Sequence, residues 1–113
     1  MSTLITIDIA HPPLHSDAAE AMLDKSLRDA QLSGTLRIIN IIHGYGSQGK
    51  GAGVLKTLVK NWAYNNRQRI KATIGGEQIS PFHPLTQSMV SSCGISFGDI
   101  SSANQGTTIL WVR

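Results

Sequence analysis

Residues 35 to 42, TLRIINII, are a nearly unbroken run of aliphatic and β-branched side chains. A strand of this kind has no polar face to give to water, so it predicts a central strand covered on both faces in a parallel or mixed sheet. Glycine-rich sequence follows at once, and then GVLKTLVKNWAYNN sets Leu55, Leu58, Val59 and Trp62 at helical spacing, with Lys56 and Lys60 one turn apart beside that stripe. A buried strand, a glycine loop and a basic amphipathic helix make a unit that needs further strands to become stable.

The rest of the chain supplies them. TLITIDI, residues 3 to 9, alternates like a strand and ends at HPP. SDAAEAMLDKSLRDAQLSG predicts a first helix with Ser16 or Asp17 as N-cap, an apolar stripe of Ala19, Met22, Leu23, Leu27 and Ala30, an outer face of Asp24, Lys25, Arg28 and Asp29, and Gly34 as terminator. RIKATI (residues 69 to 74) and TTILWVR (107 to 113) read as the last two strands. Between them, residues 75 to 106 are rich in Gly, Ser and Pro, with one short helix expected from Pro84. The order β-α-β-α-β-β implies right-handed crossovers and a two-layer α/β sandwich built on a mixed four-stranded sheet.

At 113 residues the chain is expected to form a single domain over 1–113, too short for both halves of a dinucleotide-binding enzyme. No apolar run approaches the roughly 18 residues of a membrane span. The opening MSTLITIDIA lacks the basic start and apolar core of a secretory signal, which makes a cytoplasmic location the expectation. Cys93 is the single cysteine and has no acidic or basic sequence neighbour to tune it, so it reads as a small hydrophobe.

Two phosphate patterns overlap in the loop, and neither is complete. Gly44, Gly46 and Gly49 spell G-x-G-x-x-G, but no acidic residue follows at the distance a ribose contact requires. Gly44 to Lys50 spell G-x-x-x-x-G-K, but Gly51 stands where a magnesium-binding Ser or Thr is needed. What remains is a strand-to-helix loop whose amides offer an anion site. The charge pattern agrees: between Asp29 and Glu77 there is no acidic residue, while Arg37, Lys50, Lys56, Lys60, Arg67, Arg69 and Lys71 all occur. That is the field a polyanion seeks, so DNA or RNA is the expected partner.

IIHGYG, a histidine leaving a buried strand into Gly-x-Gly before a basic helix, resembles the HGxG motif of the small MutS-related (Smr) domain family. The IDI strand and alanine-rich helix resemble that family's LDxH opening, GVLK the start of its second helix, and NQGTTILWVR its closing segment, so the similarity spans roughly residues 5 to 75 and 104 to 113. It implies a fold similar to the C-terminal domain of bacterial translation initiation factor three. It also implies nucleic-acid binding, with DNA-nicking or RNA-cleaving endonuclease activity in many members. This chain departs from LDxH in placing Ala10 where the family has histidine, with His11 one step later and two prolines after it. Residues 75 to 103 form an insertion foreign to the compact family core.

His43 is the first candidate for proton transfer at a phosphate, from its place at a strand end beside glycines. Asp8 is expected to approach it, to orient the ring or bind a metal, and His11 is a substitute for the displaced family histidine if the chain bends at the prolines. Gly44, Tyr45, Gly46, Lys50, Lys56 and Lys60 are the expected nucleic-acid contacts, the lysines as charges on phosphates and Tyr45 as a stacking ring. Trp62 is assigned to the core, and an aromatic content of 5% is too low for a broad stacking platform. His15 and His83 lack supporting neighbours, and Pro12 and Pro13 prevent HPPLH from aligning as a zinc site. A divalent ion such as magnesium would serve DNA nicking, whereas RNA cleavage could use the ribose hydroxyl. The competing readings are a binding module without catalysis and a protein-interaction domain.

Overall fold

The computed structural model describes residues 3 to 44 and 52 to 113. Strand β1 (Leu4–Asp8) is followed by helix α1 (Ser16–Ser33), β2 (Ile38–Ile42), α2 (Ala52–Asn65), β3 (Ile70–Gly75), α3 (Pro84–Cys93) and β4 (Thr107–Val112), with single 3-10 turns at Gly76–Gln78 and Phe97–Asp99. The sheet order is β1-β2-β4-β3. β1 and β2 are parallel, and β4 runs antiparallel to both β2 and β3, which gives the mixed sheet the sequence implied. The two most apolar strands occupy the middle, and every residue of β4 is buried.

The strands alternate between two cores. Ile9, Ile39, Ile41, Leu110 and Val112 face α1 and α2, packing on Leu23, Leu27, Leu55, Val59 and Trp62. Ile38, Ile74, Ile109 and Trp111 face the other way, onto Met89 of α3 and Ile100. Residues 75 to 103 therefore close the second face of the sheet, because without them Ile74, Ile109 and Trp111 would meet water.

The start of α1 differs from expectation. His15, not Ser16 or Asp17, is the N-cap, and its Nδ1 accepts the Asp17 amide at 3.5 Å. The cause lies upstream, where the proline turn is closed by the Leu14 amide on the Ile9 carbonyl at 2.9 Å and delivers the chain extended through His15. Met22 is 37% exposed at the border of the stripe rather than inside it. Asp24, expected to face solvent alone, accepts the Trp62 indole N–H at 2.8 Å and so ties α1 to α2. Gly34 ends the helix in the left-handed conformation, as its position implied. Among the described residues no helix is long and apolar enough to cross a membrane.

Candidate nucleic-acid interface

The parallel strands β1 and β2 finish side by side, with Asp8 in register with Ile42. Beyond β1 the chain turns back on itself, and this turn brings His11 onto Asp8. The His11 Nδ1 lies 3.1 Å from one carboxylate oxygen and 3.0 Å from the other. The same carboxylate accepts the amides of Ala10 at 2.8 Å and His11 at 3.1 Å. Partial desolvation acts to raise the Asp8 pKa, but these hydrogen bonds and the His11 ring outweigh it and hold the group below its ordinary 3.8. The pair is open to solvent, with side chains 70% exposed for His11 and 39% for Asp8.

His43 is placed very differently. Its ring is fully buried. Nδ1–H donates to the Gly44 carbonyl at 2.7 Å and the Thr108 hydroxyl donates to Nε2 at 2.8 Å. A carbonyl only accepts, so the Gly44 partner places a proton on Nδ1, and burial, which disfavours a second proton, leaves Nε2 as the acceptor from Thr108 and the ring neutral. Burial pushes the His43 pKa below 6.5, helped by the nearby Lys56 charge and opposed by the Gly44 carbonyl and Glu77. The expectation that His43 transfers a proton to substrate is corrected on these grounds. A ring sealed in the core with both nitrogens engaged presents nothing to a phosphate.

The expected approach of Asp8 to His43 is also corrected. Successive side chains leave a strand on opposite faces. Asp8 shares the face of its register partner Ile42, whereas His43 continues the Ile39 and Ile41 series and meets Thr108 on the α1/α2 side. His43 instead positions the strand end. Its amide and that of Gly44 both donate to the Gly106 carbonyl, at 2.9 and 3.0 Å, which clamps the end of β2 to the segment before β4. Gly44 has φ +74°, which only glycine adopts without strain, and its amide is already used and so is not free for a phosphate.

Lys56 is likewise committed: its Nζ donates to the Gln105 carbonyl at 2.9 Å and pairs with Glu77 at 3.6 Å. Lys60 is exposed on α2 and has no ion-pair partner among the described residues. Tyr45, Gly46 and Lys50 lie outside the described residues. Among the described residues no three His, Cys, Asp or Glu side chains cluster as a metal site.

Several contributors escaped the sequence reading. Thr108 looked like one more β-branched strand residue, yet it partners His43. Asn104 opens the NQGTTILWVR segment without any role assigned from sequence, and its side chain accepts the Gly106 amide at 2.7 Å and shapes the turn that receives His43 and Gly44; the NQG triplet is the turn signal. Asn40 and Thr6 lie on the Asp8 face, with the Asn40 amide donating to the Thr6 hydroxyl at 3.5 Å.

Comparison with known proteins agrees with this architecture. The family model described as the Smr domain matches residues 12–78. The crystal structure of the Smr domain of Thermus thermophilus MutS2 is similar over 99% of this chain and 99% of that one, at a TM-score of 0.56 and 18% identity, a likeness of fold. No curated protein sequence matches significantly. With more than half of its residues matched by the family model and the expected fold around them, this chain belongs to the Smr domain family.

Proposed function

We propose that this Smr domain binds nucleic acid and cleaves a phosphodiester bond at the outer ends of β1 and β2, with His11 moving the proton and Asp8 holding its ring. The observation that carries the reading is the Asp8–His11 contact in an exposed position, where the two parallel strands of an open sheet finish. An ionised Asp8 accepts from Nδ1–H and leaves the Nε2 lone pair of His11 facing away from it. That nitrogen can take a proton from a ribose hydroxyl or a water and return it to the leaving oxygen.

A divalent ion such as magnesium would supply charge neutralisation at the phosphate and a more acidic water. Asp8, the carboxylate at the end of β1, could hold it together with substrate oxygens and waters, an arrangement magnesium tolerates.

The test is cleavage of single-stranded RNA and of supercoiled DNA by the wild type and His11→Ala. Loss of at least about 100-fold in rate, typical of removing a general acid or base, supports the reading. Equal rates would remove His11 from the chemistry. Burial of His43, the histidine of the HGxG-like segment, favours a second reading in which the domain binds without cleaving; absence of cleavage with retained binding is its signature.

A further inference from the structure

Helix α2, AGVLKTLVKNWAYN, contains no acidic residue. Its inner face is consumed by Leu55, Val59, Trp62 and Ala63. On its outer side Lys60 and Tyr64 are one turn apart, hence neighbours, and Arg67 folds back from the turn that follows. Tyr64 is 65% exposed, a large ring held out of the core. The Arg67 guanidinium lies over that ring at 4.3 Å from its centroid, and its Nη1 donates to the Tyr64 carbonyl at 2.9 Å. One face of the ring is thus covered by a cation and its orientation is held, while the ring remains largely open to solvent. Unlike Lys56, neither Lys60 nor Arg67 has a carboxylate partner among the described residues.

From these contacts we infer that the Lys60–Tyr64–Arg67 ridge is a docking track for single-stranded nucleic acid, with one base stacked on the open part of the Tyr64 ring and phosphates held by the two flanking cations. The inference rests on the nucleic-acid reading above and adds the form of the ligand. A duplex keeps its bases stacked internally and cannot offer one to an exposed ring, whereas a single strand can. Charge complementarity selects a polyanion, and the ring selects an unpaired base. From Tyr64 back to Ala52 the helix spans about 18 Å, so a strand seated here runs along α2 toward its N-terminal end. There Lys56 meets the segment preceding β4, at the same end of the sheet as Asp8 and His11.

The experiment is fluorescence anisotropy with dye-labelled oligouridine, oligothymidine and a duplex of equal length, for the wild type, Tyr64→Ala, Tyr64→Phe, and Lys60→Ala with Arg67→Ala. Tyr64→Ala is expected to weaken single-strand binding about tenfold, the scale of one lost base stack, and to leave duplex binding unchanged. Tyr64→Phe keeps the ring and stays within about twofold of wild type on the same argument. The double cation variant lowers the slope of affinity against salt by about two phosphate contacts. Loss on either single strand supports the track, and comparison of the two polymers identifies which strand it takes. Equal single-strand affinity for wild type and Tyr64→Ala, or equal losses for the Ala and Phe variants, would overturn it while leaving the proposed function standing. A wild type that binds no nucleic acid would bring down both.

Discussion

The carboxylate of Asp8 and the imidazole of His43, one register step apart at the ends of adjacent parallel strands, leave the sheet by opposite faces. One is exposed and carries its own histidine partner, His11. The other is buried against β4 and bonded at both ring nitrogens. This separation divides two roles that look like one in the sequence, the chemistry proposed at the surface and positioning in the core, and makes them separately testable.

Replacing either histidine should have opposite signatures. His11→Ala is expected to leave the unfolding midpoint near wild type, since its partner Asp8 regains water, and to abolish cleavage where the wild type cleaves. His43→Ala strips the Thr108 hydroxyl and Gly44 carbonyl of a buried partner and should cost about 1–3 kcal/mol of stability. Urea denaturation and a cleavage assay on the same preparations check both halves. Thr108→Val, which removes only the hydroxyl, should reproduce part of the His43 loss.

Stability should fall as the solution is acidified below about pH 6.5. In the folded chain His43 is buried and neutral, with a pKa pushed beneath its ordinary value. Between the folded and unfolded values the unfolded chain binds more protons, so stability rises with pH there. The contribution is complete above the unfolded value and is lost as pH falls toward the folded one. Asp8 adds a drop of the same sign at lower pH, present above its ordinary 3.8 and lost below it, damped by its exposure. Denaturation midpoints followed from about pH 8 to pH 5 should be flatter in His43→Gln than in the wild type; an identical slope would assign the dependence elsewhere.

Gly76 is buried where β3 passes the segment before β4. A Cβ there would collide with the Asn104 backbone and the Thr107 hydroxyl. Gly76→Ala should therefore destabilise by about 1–3 kcal/mol, as overpacking does. Because Asn104 also holds the Gly106 turn that receives the His43 and Gly44 amides, the amide resonances of those residues should shift as well. Gly94→Ala, at a left-handed position with open space around it, is the control for conformational strain without collision.

Met89 is fully buried between α3 and the sheet. Met89→Ala should cost about 2–5 kcal/mol, with a single cooperative unfolding transition if residues 75 to 103 belong to the domain's core. A small loss, or a separate early transition, would make that segment an accessory.

Much of the architecture was legible because apolar periodicity is a local signal. The uniform apolar run of β2, the α2 stripe of Leu55, Val59 and Trp62, Gly34 as the end of α1 and the short helix from Pro84 all follow from neighbours within a few residues. The N-cap at His15 was missed because the proline turn before it sets the backbone, and histidine is an uncommon acceptor there. Lys56 read as a free cation because its partners, Glu77 and the Gln105 carbonyl, are distant in sequence.

Sequence alone determined the strands and helices, the single cysteine, the acid-free middle of the chain and the histidine-glycine turn, since composition and spacing act over one or two turns of backbone. Tertiary structure alone decided which histidine is buried and which is open, that Asp8 contacts His11 rather than His43, and that Tyr64 stands exposed under an arginine. The physical reason is that face and burial depend on register and on what packs above each strand, and a one-residue step along a pleated strand exchanges core for solvent.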